Sequence, residues 1–276
     1  MSKITAAEVK KLREQTGAGM MDVKQALVEA EGDTEKAIDI LRKKGQKLSV
    51  KRAEREAKEG VVIAKVSDDL DKGIVIRLSC ETDFVAKNEE FIKFADQIAE
   101  VALENLPSDV EELNNLELNG EEISKHVMNQ VGVIGEKIEV SGYEKLEAET
   151  VVPYVHMGYR AGVIVGLNQK GEKAEEAGRN VAMQIAAMKP IALDKDGVDQ
   201  SVIDREIEIG KEQARQEGKP EQILEKIAQG KLNKFFEENT LLQQDYVKEG
   251  KQSVREYLQS VQKGLTVTDF KHLQLG

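Results

Sequence analysis

The sequence predicts an α+β protein with four parts: an N-terminal three-helix bundle, a linker, a core of two related subdomains with antiparallel sheets, and an inserted antiparallel helical hairpin. Three observations lead to this prediction. Apolar residues repeat at helical spacing through the first 45 residues, whereas short strand-like runs begin near residue 61. The order of two strands and a long helix then occurs twice. Residues 199–239 carry only a narrow apolar seam between charged positions.

Composition limits the classes of protein to be considered. The chain has 276 residues, 40% of them hydrophobic, with no Trp and a net charge of −11. The single Cys excludes an intrachain disulfide and fits a reducing compartment. Because no apolar run approaches the ~18 residues of a membrane span, we expect a cytoplasmic protein without a membrane partner. The acidic balance argues against direct binding of nucleic acid, which needs surplus Lys and Arg.

The bundle is predicted over residues 1–45. Thr5 and Glu8 have the spacing of a capping box, which places the first helix start at Thr5. Gly17 and Gly32 mark the ends of the first two helices, and Asp33 can cap the third. We expect the third helix to close at Gly45.

Residues 46–60 are predicted to form a basic helical linker. The stretch from Arg42 to Lys58 holds eight basic and two acidic residues, a local charge of +6, with few apolar side chains. Such a charge run is typical of a solvated segment.

The first core subdomain is predicted over residues 61–150. Residues 61–66 and 74–78 resemble strands, and residues 79–88 are expected to form a loop before a long amphipathic helix. An acidic segment, a second helix and an extended stretch at 138–140 follow.

The second core subdomain is predicted over residues 151–198 and 240–276, the latter including a short C-terminal segment. Adding 88 to the numbers of the strand 75–78 gives 163–166, another strand-like run, which indicates a duplication. Strand pairs beside one long helix favour antiparallel sheets.

The segment 199–239 is predicted to be an antiparallel helical hairpin. Gly218 and Pro220 are placed to end one helix and begin the next. The predicted seam consists of Ile203, Ile207, Gly210, Ala214, Ile223, Ile227, Leu232, Phe235 and Phe236.

Catalytic and cofactor motifs are missing from the sequence. No Gly-rich loop matches a nucleotide-binding pattern, and the three His residues stand apart from each other and from Cys80. We expect Cys80 to be a small buried residue. The sequence therefore favours a binding protein over an enzyme, without a cofactor, catalytic residue or metal site.

Two segments carry specific chemistry. The segment from Thr82 to Asn88 follows a strand where the second copy has only four residues, 168–171. Phe84 lies between Asp83 and Lys87, so its ring either projects from the surface or packs on the next helix. At the end of the bundle Arg13 accompanies Met20 and Met21. Because two adjacent Met side chains cannot both point inward from one turn, at least one is expected to form an adaptable contact surface.

These motifs resemble the bacterial elongation factor Ts family. The resemblance lies in residues 12–22 (LREQTGAGMMD), 33–45, 81–87 (ETDFVAK), the hairpin before Lys231–Phe236, and His156 with the residues after it. It implies a guanine-nucleotide exchange factor for elongation factor Tu, with a ubiquitin-associated-like bundle and a coiled-coil hairpin.

The resemblance also implies the site residues. Thr82, Asp83, Phe84 and Val85 would form a loop that disturbs the magnesium site and switch region of the partner. Arg13, Met20 and Met21 would grip its GTPase domain, and His156 would face another domain of elongation factor Tu. The partner would be bound in its GDP-bound and nucleotide-free forms.

Other functions stay open at this point. The basic stretch 42–58 would suit an RNA- or ribosome-associated adaptor, although no aromatic side chains interleave with it. An adaptor that uses the bundle alone would leave some 200 residues unexplained, and an enzyme lacks an assembled nucleophile, base or metal set.

Overall fold

The N-terminal unit is built from three helices: α1 (Ala6–Thr16), α2 (Met20–Glu29) and α3 (Thr34–Arg52). The computed structural model describes residues 4–276, so the first three residues of the predicted bundle lie outside the described chain. The predicted capping box between Thr5 and Glu8 is present, and Gly17 ends α1 with φ +68°. Asp33 caps α3 by accepting the Lys36 amide. The likeness to a ubiquitin-associated bundle stays a prediction.

Helix α3 does not close at Gly45, so that prediction was wrong. Gly45 is buried inside the helix, where a Cβ would lie 3.3 Å from the Cα of Gly132. It is therefore a small residue at a helix crossing and not a helix terminator. The helix runs on through the first half of the predicted linker, and residues 53–58 are turn and irregular chain, so the second half is not helical.

The main sheet of the first core subdomain is antiparallel and has the order β1-β2-β5, from β1 (Glu59–Val66), β2 (Lys72–Cys80) and β5 (Ile138–Glu147). The long helix α5 (Glu89–Asn105) packs on it through Phe91, Phe94 and Ile98. Between them lie α4 (Asp83–Ala86), α6 (Val110–Asn115), the small hairpin β3 (Glu117–Leu118) and β4 (Glu121–Glu122), and α7 (Ile123–Ile134).

The second core subdomain repeats this arrangement with β6 (Thr150–Val155), β7 (Ala161–Leu167), α8 (Glu172–Met188), α11 (Val254–Val261) and β8 (Val267–Gln274). Its sheet has the order β6-β7-β8, again antiparallel with the second strand in the centre. In both sheets a register shift interrupts the pairing of the central strand with the last strand. The two subdomains therefore share one topology, which confirms the predicted α+β fold with antiparallel sheets.

The two sheets pack face to face, with a long helix on the outside of each. Alternate residues of β1 point to opposite faces of the first sheet. Val61 and Ile63 face α5, whereas Val62 faces Ile164 of the second sheet. Gly162 allows the close approach, because a Cβ there would lie 2.7 Å from a methyl carbon of Val62. The core is thus a four-layer helix–sheet–sheet–helix sandwich.

Helices α9 (Gln200–Gln216) and α10 (Glu221–Asn239) form the predicted hairpin and pack mainly on each other. The return seam differs from the prediction, because Ile223 is exposed and Leu224 is buried in its place. The buried stripe on α10 is Leu224, Ala228, Leu232 and Phe236. This four-residue spacing follows one helix face, whereas Ile223 lies on the neighbouring face.

The chain segments that flank the hairpin pair with each other, and Leu241 is buried in the core of the second subdomain. The Leu241 amide donates to the Ala192 carbonyl at 2.9 Å, and the Ile191 amide donates to the Asn239 carbonyl at 2.9 Å. The chain therefore leaves and re-enters the core at neighbouring points. Among residues 4–276, no helix has the length and apolarity that a membrane crossing requires.

We predict that Gly132→Ala destabilises the contact between the bundle and the core. A Cβ at residue 132 would lie 2.9 Å from the Cα of Gly45, so α3 and α7 must separate. Overpacking of this kind costs about 1–3 kcal/mol, which urea unfolding would measure. The matched control is Gly230→Ala in α10, where a Cβ meets nothing within 4 Å. It should be neutral or stabilise by about 0.4–1 kcal/mol. Equal effects of the two changes would contradict the close packing.

Candidate functional site

The segment after β2 forms a one-turn helix, α4, where a loop was expected. Thr82 caps the turn, and its hydroxyl accepts the Val85 amide at 3.5 Å. Ala86 is buried and Val85 packs partly against the first core. The turn is therefore attached to the protein on one side and presents its other side to solvent.

Phe84 projects from that open side. Its side chain is 83% exposed, so the ring does not pack on the following helix. Of the two positions considered from the sequence, the surface and the following helix, the ring takes the surface. A large aromatic side chain that is held out on an ordered turn is available to a partner.

Asp83 lies beside Phe84 and is partly exposed. The Lys87 ammonium donates to its carboxylate at 2.6 Å, and this hydrogen bond lowers the pKa of Asp83. The carboxylate is therefore ionised at neutral pH. Because the pair is exposed, it is weak and can be exchanged for a contact with a partner.

The inner side of the turn is fixed by two carboxylates, of which Glu136 lies outside every motif described above. Glu136 accepts hydrogen bonds from the Glu81 and Thr82 amides. Glu81 in turn accepts the Lys137 amide and the guanidinium group of Arg52. Burial alone would raise the pKa of Glu81, but its hydrogen bonds to the Lys137 amide and to two guanidinium groups lower it to about 2.

Cys80 is buried directly behind the turn, as the sequence predicts. Its thiol donates a weak hydrogen bond to the Thr82 carbonyl at an Sγ–O distance of 3.2 Å. Burial, reinforced by the negative charge of Glu136, raises the pKa of Cys80 to about 12. The thiol is thus protonated and serves packing.

Arg13, Met20 and Met21 are all exposed at the end of the bundle. Met20 is 57% and Met21 74% exposed, so neither fills the core, which takes Ala18 and Val23 instead. Two exposed, flexible thioether side chains make a surface that can adapt to a partner.

His156 is exposed at the end of β6, with its Nδ1 3.0 Å from the Tyr154 hydroxyl. In the turn that follows, Tyr159 has a φ of +58°, a conformation that bulky residues rarely adopt. Arg160 donates to Glu59 of β1 at 3.0 Å. Because Glu59 is the cross-strand neighbour of Cys80, this turn and the Phe84 turn belong to the same end of the core.

The candidate residues thus form two groups. Thr82–Val85 and His156 lie at one end of the core, whereas Arg13, Met20 and Met21 lie on the bundle, which α3 connects to the Phe84 turn through Arg52. Within residues 4–276, no three His, Cys, Asp or Glu side chains come together as metal ligands would.

Comparison with known proteins identifies the family. The sequence profile of the family described as "Elongation factor TS" matches residues 81–276, from the Phe84 turn through the rest of the first core subdomain to the end of the second. The chain belongs to the elongation factor Ts family. It is therefore a translation elongation factor, as the motifs indicated.

The sequence similarity to individual members of this family extends over the bundle as well. Elongation factor Ts of Christiangramia forsetii is 54% identical over 276 residues, covering all of both chains. Elongation factor Ts of Amoebophilus asiaticus is 52% identical over 99% of each chain, and that of Cytophaga hutchinsonii 52% over all of both chains. The similarity therefore includes the segment that holds Arg13, Met20 and Met21.

We predict that Cys80 resists alkylation in the folded protein. At pH 8 a thiol of ordinary pKa, about 8.5, is roughly a quarter ionised, whereas a buried thiol with a pKa of about 12 is almost entirely protonated. Iodoacetamide should therefore label the native protein much more slowly than the urea-unfolded protein. Similar rates for both would contradict the buried, protonated thiol.

Proposed function

We propose that this chain is a guanine-nucleotide exchange factor for elongation factor Tu. It binds the GDP-bound and nucleotide-free forms of that GTPase and promotes release of GDP, so that GTP can reload. It makes or breaks no covalent bond. The observation that carries this proposal is the exposed Phe84 ring beside the Asp83 carboxylate, on a turn fixed from behind by Glu136.

The proposed mechanism is a competition between two ligands of one GTPase. The factor speeds release by binding the empty GTPase more tightly than the loaded one, and the nucleotide weakens the factor by the same free energy. Phe84 would act as a wedge, that is, its ring would displace part of the switch region. Asp83 would place a negative charge near a site that holds Mg²⁺ and phosphates, and compete for the groups that order the metal.

Burial of the Phe84 ring alone provides less free energy than release of the nucleotide requires. A nanomolar nucleotide is worth about 12 kcal/mol of binding free energy. Burial of a Phe side chain removes about 150–250 Å² from water, or about 4–6 kcal/mol before ordering costs. Several separate contacts are therefore required. Arg13, Met20, Met21 and the turn at His156 are exposed and can supply them.

The adaptor alternative based on the basic stretch has less support. Five of its eight basic residues form ion pairs with carboxylates of this chain: Arg42, Lys44, Arg52, Arg55 and Lys58. Pairing leaves less positive charge for phosphates, so we favour the exchange factor.

We predict that Phe84→Ala slows exchange without unfolding the protein. Truncation of a central aromatic anchor costs about 2 kcal/mol or more, which corresponds to a roughly thirtyfold slower release. Stopped-flow release of fluorescent GDP from elongation factor Tu measures the rate. Since Phe84 is exposed, the urea midpoint should not fall.

Val247→Ala provides the matched control for this variant. Val247 is also an exposed apolar residue, but it lies beyond the hairpin in the second subdomain. Its removal should leave the rate unchanged. A Phe84→Ala protein that released GDP as fast as this control would remove the wedge from the mechanism.

We also predict that the double change of Met20 and Met21 to Ala weakens binding more than it slows the release step. The half-saturating factor concentration should rise about tenfold, since two apolar side chains lose their contact, while the maximal rate stays within about twofold. Titration of the release rate against factor concentration separates the two quantities. An unchanged half-saturating concentration would show that the bundle does not grip the partner.

A further inference from the structure

The Glu136 carboxylate is the main anchor of the Phe84 turn. It follows α7, which ends at Gly135 with a left-handed φ of +79°. Its Oε2 accepts the Glu81 amide at 3.1 Å and the Thr82 amide at 3.0 Å, and its Oε1 accepts the Thr82 hydroxyl at 2.6 Å. All three donors immediately precede Asp83 and Phe84 in the chain.

This anchor matters because α4 is very short. An isolated helical turn of four residues is not stable in water, since one hydrogen bond does not repay the ordering of the chain. The conformation of the turn therefore depends on contacts from outside it. Glu136 also fixes the Thr82 hydroxyl as a donor, which leaves the oxygen free to accept the Val85 amide and cap the turn.

The attachment is reciprocal. Glu81 accepts the Lys137 amide at 2.6 Å, so each carboxylate binds the backbone next to the other one. Glu81 also accepts Arg52 and Arg55 from the end of the bundle segment, each at 2.9 Å. The two short chain segments 81–82 and 136–137 are thereby held together, and the link extends to α3.

We propose that Glu136 is a positioning residue for nucleotide exchange. It holds the Thr82–Val85 turn in the conformation that projects Phe84 toward the partner, and it acts on the partner only through that ring. This inference rests on the proposed exchange function and adds a residue that the motif itself does not contain. Glu136 is 54 residues distant from Thr82 in the chain, so sequence proximity gives no sign of it.

Three substitutions of Glu136 separate its possible roles. Glu136→Gln keeps one oxygen that can accept both amides, and should retain the maximal release rate within about threefold. Glu136→Ala removes the acceptors, and Glu136→Asp keeps the charge but is one methylene too short. Both should lower the maximal rate about tenfold or more, since the turn that projects Phe84 loses the acceptors of three hydrogen bonds. The half-saturating concentration should change much less.

The control substitution is Glu139→Gln. Glu139 pairs with the Lys137 ammonium at 3.1 Å, close to Glu136 in the chain but without a hydrogen bond to the turn. It should leave the rate unchanged. Hydrogen exchange of the Glu81 and Thr82 amides should accelerate in Glu136→Ala and stay slow in the control.

The decisive measurement combines Glu136→Ala with Phe84→Ala. If Glu136 acts through the ring, the double variant releases GDP no more slowly than Phe84→Ala alone. A full additional tenfold loss, or a maximal rate for Glu136→Ala within about twofold of the unmodified protein, overturns the inference. If Glu136→Ala does not fold, Glu136→Asp decides by the same criteria. A normal rate for Phe84→Ala itself would instead reject the proposed wedge.

Discussion

The face-to-face packing of the two sheets is the contact on which the rest of the molecule depends. Val62 and Val75 of the first sheet meet Ile164 of the second, and Gly162 lets the backbones approach. Because a long helix covers the other face of each sheet, the central strands β2 and β7 have buried residues on both faces. This packing brings the His156 turn next to the start of β1, where Arg160 pairs with Glu59, the cross-strand neighbour of Cys80. Two distant parts of the chain thus lie at the same end of the core.

Much of the fold was predictable because its signals are local. Apolar periodicity separates helices from strands, and capping residues such as Thr5 and Asp33 mark helix starts that the structure confirms. The duplication was visible because the central strands carry similar apolar runs at a fixed separation. For the same reason the extra length after the first central strand was visible, and with it the segment that carries Phe84.

The failures share a cause, since each depends on a contact between distant residues. Gly45 has the residue type of a helix terminator, but its partner Gly132 lies in another helix, so it is buried in the middle of α3. Ile223 is as apolar as Leu224, and only the direction of approach of α9 decides which is buried. The Glu136 carboxylate was lost among 51 acidic residues, because nothing in its neighbours shows that it binds the turn.

The segments that flank the hairpin are joined by the hydrogen bond between Leu241 and Ala192, and this has a further consequence. Because the two ends of this insertion are already adjacent, a change in its length does not require the core to rearrange. The entropic cost of closing a loop also rises only slowly with its length. The hairpin can therefore lengthen, shorten or be replaced during evolution while the sandwich keeps its geometry. The length of the hairpin can thus change independently of the turn that carries Phe84.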